Sequence, residues 1–124
     1  MYEHEKNEVY RAIGELAYVV AKVKDGLKLE EKKTFFDIVE KELEFDAWAA
    51  ESRFELLDEV IHPTVDHAYN EAIHELKKYK VHFTDDLKEK AVKVLEAVST
   101  SCSTISSEMQ NFVIDRFKQD LEHL

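Results

Sequence analysis

Glycine and proline are scarce in this chain, at two and one residues in 124, so the backbone has few places to turn sharply. That scarcity argues against a sheet protein with many tight turns and for long helices joined by short connections. Cysteine is limited to Cys102, which excludes an internal disulfide and fits a reducing compartment. Nothing in the sequence around Cys102 would lower a thiol pKa, no glycine-rich phosphate loop occurs, and no serine stands in an elbow motif. No catalytic residue is assigned, and the chain is expected not to be an enzyme. No run is long and apolar enough to span a bilayer, and the opening Met-Tyr-Glu-His-Glu-Lys lacks the apolar core of a signal peptide. A cytoplasmic protein without a membrane span is the expectation.

Basic residues are also in deficit. Seventeen Lys and Arg face 27 Asp and Glu, a formal charge of −10, and the basic residues are scattered rather than gathered on one face. A phosphate backbone would be repelled, so no nucleic acid is expected as a ligand. Such a surface suits divalent cations, basic protein partners, or mimicry of nucleic acid toward an enzyme that binds it.

What the chain does have is apolar mass. With 44% hydrophobic residues, seven Phe, five Tyr and Trp48, it can build one core. A chain of this length buries roughly two-thirds of its unfolded surface and forms a single domain, residues 1–124. The fold class expected is all-α, a bundle of about six helices arranged as a hairpin over 4–44, middle helices over 46–80, and a second hairpin over 84–124.

The spacing of apolar residues sets these spans. Helix one, from His4 to Lys24, carries Val9, Ile13, Leu16, Val20 and Val23 inward. Helix two, from Glu30 to Glu44, does the same with Phe35, Phe36, Ile38, Val39 and Leu43. Asp46 is the expected N-cap of helix three, whose Ala47, Ala50, Phe54, Leu57 and Ile61 face inward until Pro63 stops it. Trp48 follows inward Ala47 and belongs at the core's edge or on a contact surface, with burial expected. Helix four, starting at Pro63 or Thr64 and ending near Lys80, is either separate from helix three or a kinked continuation of it. Thr84 or Asp85 caps helix five. Seven of the nine residues from Ser99 to Ser107 carry hydroxyls that compete for backbone hydrogen bonds, so helix five is expected to end there and helix six to begin at Ser106 or Ser107. In helix six, Met109, Val113, Phe117, Leu121 and Leu124 are the inward set.

The turn between helices one and two is the stretch around which the chain reads as organised. Asp25-Gly26 can close a helix through a left-handed glycine, and Glu30 and Glu31 favour a new helix N-terminus. An offset of 78 residues lays Leu16–Leu43 over Val94–Leu121 and matches Leu27 with Ile105, Glu30 with Glu108, Val39 with Phe117 and Leu43 with Leu121. Two related helix-turn-helix hairpins are implied, with Ser103-Thr104 in place of Asp25-Gly26.

The residues Leu16-Ala17-Tyr18-Val19-Val20-Ala21-Lys22-Val23-Lys24-Asp25-Gly26, followed by Leu29-Glu30-Glu31, resemble the TerB-like family of tellurite-resistance domains, which is similar to the N-terminal region of a DnaJ-type co-chaperone. The resemblance covers about a third of the chain directly. It implies a helical bundle with pseudo-twofold hairpins, a link to stress responses, and a divalent cation as cofactor, held by acidic residues around the Asp25-Gly26 turn.

Two sets of candidate ligands follow. Asp25, Glu30 and Glu31 could offer carboxylate oxygens to a hard cation, although the spacing is not that of an EF-hand, because Ala21, Val23 and Lys32 occupy positions that should ligate. Glu59-Val-Ile-His62 and Glu71-Ala-Ile-His74 resemble the Glu-x-x-His strings of di-iron bundles, with His67 preceding Glu71. Helical periodicity points Glu59, His67, Glu71 and His74 away from the apolar stripes, leaving a solvent-facing transition-metal site at His67, Glu71 and His74, or ordinary solvated side chains. The function expected is a non-catalytic, stress-linked interaction module with a protein partner. An acidic inhibitor or adaptor and a metal-binding bundle of the di-iron kind are the alternatives.

Overall fold

A computed structural model describes residues 2–24, 27–102 and 108–124. Among them there is no strand, and the all-α expectation is met. The elements are α1 (Tyr2–Lys22), α2 (Leu29–Leu43), α3 (Ala47–Leu56), α4 (Val65–Lys78), α5 (Asp85–Cys102) and α6 (Glu108–Leu121), with 3₁₀ turns at Glu44–Asp46 and Lys80–His82 and a π turn at Leu57–Ile61.

The centre is α1 rather than the turn that follows it. Every residue from Val9 to Ala21 except Arg11 is buried, because α3, α4, α5 and α6 all pack against this helix. A helix apolar on all sides must be enclosed, and Ala12-Ile13-Gly14 with Leu16-Ala17-Tyr18-Val19-Val20-Ala21 has no polar face. Gly14 permits the tightest approach: a Cβ there would overlap the backbone carbonyl of Ala50 on α3. The second helix, α2, lies on α5 and α3. There Phe54 packs at a tilt on Phe35 at 5.2 Å between centroids and meets Phe36 and Tyr18 edge-on at 5.9 and 6.5 Å.

Helix ends account for most departures from expectation. Asp46 does not cap α3 with its side chain. The chain enters that helix from the 3₁₀ turn, where the Ala47 N–H donates to the Glu44 carbonyl, and the Asp46 carboxylate pairs with Lys6 at 3.2 Å. Helices three and four are separate. A π turn ends at left-handed His62 (φ 51, ψ 53), and α4 starts afresh with the Thr64 hydroxyl accepting from the His67 N–H at 3.2 Å. Ile61, expected inside, is 54% exposed, since the wider π turn no longer returns the 3–4 spacing to one face. Met109 is exposed in the first turn of α6, where Gln110 takes the buried position.

Thr84 caps α5 as expected, accepting from the Leu87 N–H at 3.2 Å. α5 ends at Cys102, within the hydroxyl run, as expected. Two of its hydroxyls are bonded within the bundle, Thr100 donating to the Glu96 and Ala97 carbonyls and buried Ser99 to Gln110, while the Ser101 oxygen is shut from solvent without a partner among the described residues. The rest of the hydroxyl run and the expected start of helix six lie outside the described residues. Gln110 closes the other end of the bundle, where its Nε2 donates at 3.1 Å to the Val20 carbonyl, one of the unpaired acceptors at the C-terminus of α1.

Candidate interaction groove and buried acid clusters

The outward side of α3 keeps apolar groups in water. Trp48, Leu56 and Val60 recur at multiples of four with Ser52 between them, so they form one row along the helix and its π turn. Trp48 is 48% exposed and Val60 68% exposed. Trp48 is therefore a surface residue, against the expected burial: Ala47, Ala49 and Ala50 take the inward faces of the first turn and leave it none. Phe45 stands exposed just before the row.

Glu51, Glu55 and Glu59 make a parallel row, also at four-residue spacing. Two adjoining hollows meet at Glu55. One, of about 500 Å³, lies along α3 among Trp48, Glu51, Leu56 and Val60. The other, of about 640 Å³, lies between α2 and α3 and is lined by half-buried Phe36, exposed Leu29, and Glu30, Lys33, Asp37 and Glu40. Lys32 fills part of the wall, with its Nζ 2.9 Å from Asp58 and 3.4 Å from both Glu55 and Glu59. Burial alone would lower the Lys32 pKa, but Asp58 and Glu55 outweigh it and hold it above the ordinary value.

Glu51 lacks such a partner. One of its carboxylate oxygens is shut from solvent with no hydrogen-bond donor. Burial first, and then Glu40, Asp37 and Glu55, push its carboxyl up to about 7. Burial and the neighbouring Glu59 likewise raise Glu55.

A second acid cluster lies inside the bundle. Glu15 on α1 is 1% exposed, receives Arg53 of α3 at 3.3 Å, and shares a hydrogen bond with Glu71 of α4. Burial, followed by Glu71, raises Glu15 to about 8 in spite of Arg53. The cluster ties α1, α3 and α4 together through Glu15, Arg53 and Glu71.

Asp25 lies outside the described residues. Glu31 turns back to accept from the Lys28 N–H at 2.8 Å and so closes the start of α2, while Glu30 is exposed at the groove edge. His67 pairs with Glu71 at 3.3 Å, but Glu71 also faces Arg53 at 3.8 Å and so is not merely solvated. His74 lines a different hollow with Tyr69, Arg116 and Asp120. Glu59 is held by Lys32. Among the described residues, no three His, Cys, Asp or Glu side chains are grouped as metal ligands, and no helix is long and apolar enough to cross a membrane.

Periodicity did not single out Glu15 or Glu51. The first had a signal, a lone carboxylate inside Ile13-Gly14-Glu15-Leu16-Ala17. The second had none, since its environment depends on how α2 lies against α3. Comparison with protein-family models, curated proteins and solved structures finds no match to this chain.

Proposed function

We propose that this chain is a non-catalytic interaction module that engages a protein partner along the outer face of α3. The observation that carries this reading is the aligned exposed row of Trp48, Leu56 and Val60, interrupted at Ser52, beside a groove. Isolated exposed apolar residues are ordinary, but a tryptophan at the head of an aligned apolar row is what protein interfaces use as an anchor.

A TerB-like organisation of two related hairpins, and with it a stress-linked role, is part of the proposal. The 78-residue overlay supports it by pairing buried residues: Leu16 with Val94, Val20 with Val98, Phe35 with Val113, and Val39 with Phe117. In addition, α2 packs on α5 while α1 packs on α6, the exchange that a pseudo-twofold requires.

Peptide-library display on the immobilised protein tests the surface. Helical sequences with an apolar stripe should be enriched on the wild type and lost on Trp48→Asp. Equal enrichment on both proteins would place the interaction elsewhere.

A further inference from the structure

Resting on the α3 face as the interaction surface, we infer that its occupant is a cationic amphipathic helix of about three turns, whose apolar side covers Trp48, Leu56 and Val60 and whose basic side chain enters between Glu51 and Glu40.

The length follows from the row. Trp48 to Val60 is about twelve residues of helix, or roughly 18 Å at 1.5 Å per residue, which a partner helix of three to four turns matches.

The sign follows from the banks of the groove. Glu30, Asp37 and Glu40 edge it from α2, with exposed Lys33 among them, and Glu51, Glu55 and Glu59 from α3, so acids outnumber bases along it. Lys32 is already shared among Glu55, Asp58 and Glu59. No Lys, Arg or His among the described residues forms an ion pair with Glu51, Glu40 or Asp37. The enclosed Glu51 oxygen is thus an acceptor without a donor, next to a second carboxyl. An ionised carboxylate in that position gains most from a charged donor, and a guanidinium can bond both oxygens.

Charge also disfavours other occupants. A second copy would set the same acidic banks against each other in a molecule of net charge −10, and a nucleic acid or an anionic lipid surface would meet the same repulsion.

Three fluorescein-labelled peptides of about 16 residues test the inference by anisotropy and by the emission of Trp48, the sole tryptophan. The first carries a Leu stripe flanked by Arg, the second has the same Leu stripe with each Arg replaced by Glu, and the third keeps Arg with Leu replaced by Ser. The Leu–Arg peptide should bind and shift Trp48 emission, the Leu–Glu peptide should bind at least about tenfold more weakly, and the Ser–Arg peptide should leave the emission unchanged. Glu51→Gln should weaken the Leu–Arg peptide about tenfold, whereas Glu89→Gln, which removes a carboxylate at an exposed position of α5, should not. Circular-dichroism melts confirm that both variants fold. Equal binding of the Leu–Arg and Leu–Glu peptides, or equal effects of the two substitutions, would overturn the cationic occupant and leave the α3 surface standing. If neither Leu-bearing peptide moves Trp48 emission, the surface and the occupant both fail.

Discussion

Arg53 Nη1 lies 3.3 Å from Glu15 Oε1 where α3 crosses α1, and with Glu71 on α4 this pair ties three helices together through a carboxyl that is 1% exposed. Enclosing an ionised carboxylate costs more than one ion pair returns, so the Glu15 proton is retained at neutral pH and bridges to Glu71.

Stability is expected to fall as pH rises through that range. Glu15 titrates at about 8 in the fold and near 4.5 when unfolded, so between these values the native state holds a proton that the unfolded chain has released. Stability therefore declines above about pH 5, with a slope of up to about 1.4 kcal/mol per pH unit, and levels above pH 8. Glu15→Gln keeps the shape and a neutral donor, and urea unfolding of this variant should show a flatter profile. Parallel profiles for the two proteins would remove Glu15 as the cause.

Gly14→Ala tests the crossing of α1 and α3. Helix propensity alone predicts a gain of about 1 kcal/mol. The added Cβ would strike the Ala50 carbonyl, a backbone atom that cannot swing aside, so a loss of about 3 kcal/mol or more is expected in denaturant unfolding. A stabilised variant would mean that the helices are farther apart.

Gln110→Leu should cost about 1–3 kcal/mol, because it leaves the Val20 carbonyl without its donor at the closed end of α1. Hydrogen exchange should show the loss concentrated in the last turn of α1. Uniform loss of protection would point to the core as a whole.

Affinity for the Leu–Arg peptide should rise with pH below about 7 and flatten above it. Glu51 is pushed up to about 7 by burial and by Glu40 and Asp37 on α2 and Glu55 on α3, with Lys32 engaged by Glu55. A cationic partner needs the ionised form, so each unit below that value costs up to about tenfold in affinity and binding releases a proton. Calorimetry in buffers of different ionisation enthalpy measures that proton, and Glu51→Gln should abolish it. Proton uptake on binding would contradict the assignment.

Trp48→Ala should abolish peptide binding while changing stability by less than about 1 kcal/mol, as befits a side chain 48% exposed. A large fall in melting temperature would instead make Trp48 part of the core.

The helices and most of their inward faces were legible because 3.6-residue periodicity is a local property. Val9, Phe35, Phe54 and Phe117 were all placed inward from spacing, and all are buried. Thr84 was legible as a cap because a hydroxyl reaches only the next turn of its own chain. The errors concern residues whose surroundings come from elsewhere. Asp46 is drawn to Lys6, Trp48 faces out because three alanines take the inward faces beside it, and Glu71 turns to Arg53.

The sequence by itself determined an acidic, all-helical chain and the pattern of its core, since charge and periodicity are carried along one strand of residues. Tertiary structure alone decided which helices enclose α1, that Glu15 and Glu51 sit where water cannot solvate them fully, and that an apolar row lies open between acidic banks. Desolvation and the field of a neighbouring carboxylate depend on distances between helices remote in sequence, and no spacing along the chain encodes those distances.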